Sequence, residues 1–311
     1  MKNLFNQGSK FRMVAWGGLL TAISVLLAIL GSAMSFLDAI YLAATPIVIA
    51  CLYGGIVFGL QVSFASVCIT SMILGPFPAG LYFLASAIPS GLIIGNMLRK
   101  KQPISSIVMF SAITLSLCLI VTTYISYLAM GRTFQEDIAE SAKVAKTFLE
   151  MSSTNKNIAE DDIMKMIYMV IPATIILTSL IYSIYLYFFN TWILKKLKLV
   201  DNDFNTDLHE IFHYPKYFAY IFACSLIALF LGRTSGNDLS STLGINLFYI
   251  FGFLFFFKGL FLVRIVLFVL VKNMVSRLFF GLVAMTIMAP VVSVIGFYFC
   301  LTQKDIEIRR K

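Results

Sequence analysis

Apolar runs of about 20 residues, parted by short clusters of glycine, proline and charge, recur from Met13 to Leu301. Wound as α-helix at 1.5 Å per residue, such a run is about 30 Å long, the thickness of a bilayer's hydrocarbon layer. The purest example is Leu52 to Lys101, two arms hinged at Gly75-Pro76-Phe77-Pro78-Ala79-Gly80 with no charge before Arg99. The hinge cannot continue a helix, so the pattern predicts a transmembrane hairpin. Arg99, Lys100 and Lys101 close the second arm, which puts that end on the cytoplasmic side and the hinge outside.

Carried along the chain, the pattern predicts an all-α, polytopic transmembrane helical bundle of about eight or nine spans. A basic leader, Met1 to Arg12, precedes a first span, Met13 to Met34, with the N-terminus inside. Leu37 to Tyr53 is a second, shorter span that turns at Tyr53-Gly54-Gly55 into the hairpin, and Ile104 to Met130 is a fifth. Between Thr133 and Asp162 the chain turns charged, while Phe134, Ile138, Ala142, Ala145, Phe148 and Leu149 keep a helical spacing. This predicts an amphipathic outer helix, lying at the interface or acting as a lid, with Thr133 and Glu136 as its capping box. Ile163 to Leu194, kinked at Pro172, leads to Lys195, Lys196 and Lys198 inside; Tyr214–Leu231, Leu243–Val271 and Leu278–Leu301 complete the count. The organisation is then a five-span bundle over 1–130, the outer helix over 131–162 and a four-span bundle over 163–311. This count leaves the basic tail Thr302 to Lys311 outside, against the positive-inside bias.

Composition agrees with the pattern. At 59% hydrophobic and 13% charged, the chain has too little polar surface to cover a soluble globule. A net charge of +9 would suggest nucleic acid in a soluble domain, but much of it sits at span ends, so the partner expected is the lipid bilayer and no nucleic acid. Cys51, Cys68, Cys118, Cys224 and Cys300 all lie in apolar runs without metal-ligand spacing. No Walker A sequence, G-x-S-x-G motif, paired catalytic carboxylates or dinucleotide fingerprint is present, so neither an enzyme nor a cofactor is expected. Active transport would require an energising partner or an ion gradient.

Polar residues inside apolar runs are the remaining candidates. Lys258 lies near the middle of the eighth span, where an ammonium must pair or face a polar cavity; an anionic ligand group is one partner. Arg264 reads as an interfacial anchor. Gln61, Ser63, Ser66, Thr70, Ser71, Ser86, Ser90 and Asn96 crowd the early spans, and Asn246 is a similar case in the eighth. Interhelical hydrogen bonding is their default role and lining a small-molecule pocket the alternative. Gly18-x-x-x-Ala22 allows close helix approach, within the protein by default or to a partner helix. His209-Glu210-Ile211-Phe212-His213 matches H-E-x-x-H, in which two imidazoles hold zinc and Glu210 is the base. Pro215 disfavours helix at Tyr214, no third histidine exists, and Asp207 with Glu210 fits an ordinary helix cap, so a cytoplasmic connector without metal is expected there.

The basic leader and first span, ATPIVIACLYGGIVFGL, SMILGPFPAGLYFLASAIPSGLIIGNMLRKK, the acidic outer helix, HYPKYFAY and IGFYFCLTQKDIEIRR together resemble the YybS-like family of bacterial integral membrane proteins, with Asp305 and Arg309 matching its C-terminal pattern. The N-terminal half of that family is similar to the substrate-binding S components of energy-coupling-factor transporters, six-helix bundles that bind vitamins. The resemblance implies a bacterial cytoplasmic (inner) membrane protein and small-molecule binding or transport. It also implies partners, a coupling membrane subunit docked on Gly18 and Ala22 and an ATPase. A non-transporting scaffold acting through protein partners is the alternative, and an HEIFH zinc metalloprotease a further one.

Overall fold

A computed structural model describes residues 10–33, 42–75, 79–151, 159–200, 214–271, 273–286 and 288–302, and among them every regular element is helical. In chain order the helices are α1 (Lys10–Ala33), α2 (Ala44–Leu74), α3 (Ala79–Arg99), α4 (Ile104–Met130), α5 (Phe134–Met151), α6 (Glu160–Lys196), α7 (Tyr217–Ser235), α8 (Asp238–Leu270), α9 (Met274–Thr286) and α10 (Ala289–Thr302). Six are long and apolar enough to cross a membrane, seven if the bent pair α9 and α10 counts as one span, and the eight or nine expected from sequence are not reached by this count. The expected ninth span, Leu278 to Leu301, is two helices meeting at an 89° bend. Pro290 stands in the first turn of α10, where its missing N–H is tolerated.

The chain forms two compact units, Met1–Ser141 with Thr178–Thr206, and Ala142–Leu177 with Asp207–Lys311. In the first unit α2 packs on α1 and α3, and α3 on α4. One residue reorganises α2: Gly55 has φ 82° and ψ 179°, a backbone state open essentially to glycine alone. The chain folds back there. A Cβ built on Gly59 would fall on the Cys51 sulfur, although residues eight apart in an uninterrupted helix lie about 12 Å apart. Ile47, Cys51 and Gly55 meet Gly91, Gly95 and Arg99 in the same order along both helices, so 44–54 runs parallel to the end of α3 while 56–74 returns beside them. The turn expected at Tyr53-Gly54-Gly55 is therefore present inside what is otherwise a single helix. At the far side of the unit the capping box forms as expected: the Thr133 N–H donates to Glu136 Oε2 at 2.9 Å and the Glu136 N–H to Thr133 Oγ1 at 3.4 Å. In α5, Ile138 and Ala142 are buried and Phe148 is exposed.

In the second unit α7 and α8 form an antiparallel hairpin, fixed by Phe218 on Phe251, Phe222 on Phe248 and the Ser240 hydroxyl donating to the Ala228 carbonyl at 3.0 Å. Asn237 caps α8 by accepting from the Leu239 and Ser240 N–H groups. Helix α10 crosses α8 where Gly259 and Gly296 bring the backbones into contact: a Cβ on Gly296 would overlap the Phe255 carbonyl, and one on Gly259 the Val292 carbonyl. Gly296→Val should consequently force α8 and α10 apart and destabilise the unit by about 2 kcal/mol or more. Gly281→Ala, at a position with nothing within 4 Å, should leave stability unchanged or raised. Thermal unfolding in detergent compares the two.

Candidate functional site

The first unit has a polar interior without charge. Thr45, Ser63, Ser66, Thr70, Ser111, Ser179 and Ser183 are buried with hydroxyls that meet no hydrogen-bond partner among the described residues, as is the side-chain oxygen of Asn190. Most of them lie on stripes of their own helices. Ser63, Ser66 and Thr70 share one stripe of the second half of α2, and Ser179, Ser183 and Asn190 one stripe of α6 together with buried Leu186, Tyr187 and Leu194. A hydroxyl on an apolar helix ordinarily donates to the carbonyl one turn back, as those of Thr114, Ser116, Thr122, Ser126 and Thr191 do here. The orphaned groups make no such bond, and each costs about 1–3 kcal/mol until something fills its hydrogen-bonding capacity. Among the described residues no carboxylate is buried, so the chemistry available in this interior is hydrogen bonding by hydroxyl and amide groups.

The candidates named from sequence fall in different places. Ser86 and Ser90 are buried in the first unit, with the Ser90 hydroxyl donating to the Ser86 carbonyl at 2.6 Å beside Pro89. Gln61 points away from this interior, on an exposed face of α2 between Val57 and Phe64. Gly18 and Ala22 are also exposed, and nothing lies within 4 Å of a Cβ built on Gly18, so this pair faces outward from α1 instead of packing within the protein. His209, Glu210 and His213 lie outside the described residues, among which no group of three metal-ligating side chains occurs. Sequence reading missed Ser111 and the α6 stripe; the spacing of Ser179, Ser183 and Asn190 was the available signal.

Asn246 and Lys258 belong to the second unit. Pro172 removes one N–H from the ladder of α6, and the Asn246 carboxamide is inserted at that point. Its oxygen accepts from the Ala173 N–H, and its NH₂ donates to the carbonyls of Met169 and Thr242, each bond 2.7 Å. This engagement makes Asn246 a splice across the kink. An open cleft of about 520 Å³ lies above it, lined by Asp161, Met164, Lys165, Tyr168, Met169, Asp238 and Thr242, with Lys165 paired to Asp238 at 2.8 Å. Lys258 is buried with its ammonium 5.9 Å from the centre of the Tyr214 ring. The Cys300 sulfur lies 3.6 Å from the Pro215 carbonyl, beside the same tyrosine. Burial holds the Tyr214 phenol above its ordinary pKa, with the neighbouring Cys300 a lesser cause.

Lys258 lies in α8, which is long and apolar enough to cross a membrane. Helix α8 starts at Asp238, five residues before the span predicted at Leu243, and runs 33 residues to Leu270. Lys258 is thus about 30 Å from the polar turn, a full hydrocarbon thickness. Tyr214, its aromatic partner, precedes the first residue of α7. The cation therefore sits at the level where α7 begins.

Residues 19–298 match the profile of the family described as predicted membrane protein (DUF2232), and the chain belongs to that family of membrane proteins. No curated protein and no solved structure matches the chain.

Asn246→Leu should leave the Ala173 N–H and Met169 carbonyl without their side-chain partner and cost about 2 kcal/mol or more. Pro172→Ala in the same protein should recover part of that loss, because a regular turn can then pair the two groups. A double-mutant cycle on thermal unfolding measures the coupling.

Proposed function

We propose that this chain is a small-molecule binding protein of the membrane, of the S-component type, whose ligand is held in the first unit. The observation that carries this reading is the set of buried, unpartnered hydroxyls on α2, α4 and α6. Polar groups stranded in an apolar bundle need a partner, and a hydrogen-bonding molecule or ordered water supplies one. Absence of buried charge around them favours an uncharged polar ligand. The YybS-like resemblance and its S-component relation point the same way. In this reading the protein is not an enzyme, lies in a bacterial inner membrane with its N-terminus inside, and crosses it eight or nine times, the two halves of α2 counting separately. Transport would require a coupling subunit and an ATPase.

A scaffold acting through protein partners is the second reading, and the outward face of Gly18 and Ala22 favours it. The zinc-protease reading of His209, Glu210 and His213 gains no support from the described residues.

Purification in mild detergent followed by mass spectrometry of retained small molecules and co-purifying proteins is the first test. Ser66→Ala with Ser183→Ala should raise the melting temperature of the ligand-free protein by several degrees, since each removes an unpaired buried hydroxyl, and should abolish the shift that a retained metabolite produces. A lower melting temperature, with no retained molecule, would show the hydroxyls to be interhelical bonds and hand the question to the scaffold reading.

A further inference from the structure

Two helices of the first unit end in the same unusual way. At the end of α3 the Lys101 N–H reaches the Leu98 carbonyl and the Gln102 N–H the Met97 carbonyl, at 3.0 and 3.1 Å. At the end of α6 the Lys198 N–H reaches the Lys195 carbonyl and the Leu199 N–H the Leu194 carbonyl, at 3.0 and 2.9 Å. Both are Schellman closures, whose left-handed residue is usually glycine because a Cβ is strained there. Here both are lysine, each with φ 54°, and among the described residues these are the two non-glycine residues at positive φ.

The two ends share one end of the unit. The Arg99 guanidinium rests against Gly55, and two residues earlier the Tyr53 hydroxyl donates to the Leu199 carbonyl at 2.6 Å. The turn at 53–55 therefore touches both closures. Around it stand Arg99, Lys100, Lys101, Lys195, Lys196 and Lys198. Exposed apolar side chains begin beside the cations: Ile56 and Val57 follow the turn, and Trp192 lies one turn before Lys196. A cationic rim bordering an apolar wall with an interfacial tryptophan matches a phosphate on two acyl chains.

We infer that this end of the first unit is a binding site for the headgroup of an anionic phospholipid, with Lys101 and Lys198 as its principal cations. Left-handed lysines point to charge selected over backbone comfort. The site is separate from the hydroxyl-lined interior and does not rest on it.

The discriminating variant is Lys101→Gly with Lys198→Gly, which removes both charges while giving each closure the residue it prefers. Native mass spectrometry of the full chain in neutral detergent, titrated with phosphatidylglycerol, should show affinity falling about thirtyfold in the variant. Its melting temperature without lipid should be equal or higher, which excludes misfolding as the cause. Lys143→Gln with Lys146→Gln, an equal loss of charge on α5, should leave lipid affinity unchanged, and phosphatidylcholine should not bind. Unchanged phosphatidylglycerol affinity in the glycine variant, or an equal fall in the α5 control, would overturn the site. Soluble glycerol phosphate binding as tightly as the lipid would overturn the lipid as its occupant.

Discussion

Every polar group in this chain is subject to one constraint: away from water it must find a hydrogen-bond partner or remain at a cost comparable to a whole side-chain packing interaction. Helices satisfy the backbone, which is why an apolar chain of this composition is built of them. The informative places are those where the helical solution fails. At Pro172 the protein supplies the side chain of Asn246 to mend the ladder. At Gly55 the helix reverses, with the Arg99 guanidinium set against the turn. In the first unit the hydroxyls of Ser63, Ser66, Thr70, Ser111, Ser179 and Ser183 meet no protein partner among the described residues.

Much of the fold was legible because its signals are local. Thr133 and Glu136 announced a capping box that the structure forms, and Tyr53-Gly54-Gly55 announced a reversal that takes place at Gly55. Less was legible where tertiary geometry decides. Leu278 to Leu301 reads as one apolar run, and the structure has two helices there with a sharp bend between them. Hydropathy alone does not say what meets Lys258, whereas the pairing of α7 with α8 sets it beside Tyr214.

The candidate site was half visible. Density of Ser and Thr drew attention to α2 and α3, yet periodicity does not say which face of a lipid-bathed helix is buried, since both faces are apolar. Gln61 and Ser63 are two residues apart and end on opposite sides, one exposed and one buried. Ser179, Ser183 and Asn190 passed as ordinary members of a long span because their significance lies in burial on one stripe. The small-residue pair Gly18 and Ala22 was expected to pack internally and faces outward, a reminder that spacing fixes a face but not what covers it.

The central claim is that the interior of the first unit holds a hydrogen-bonding guest. An experimental density map of the protein purified from its native membrane, at a resolution that shows ordered water, tests it most directly. Non-protein density is expected within about 3 Å of the hydroxyls of Ser66, Ser111 and Ser183. A dry interior in which each of these hydroxyls bonds the carbonyl one turn back on its own helix would contradict it.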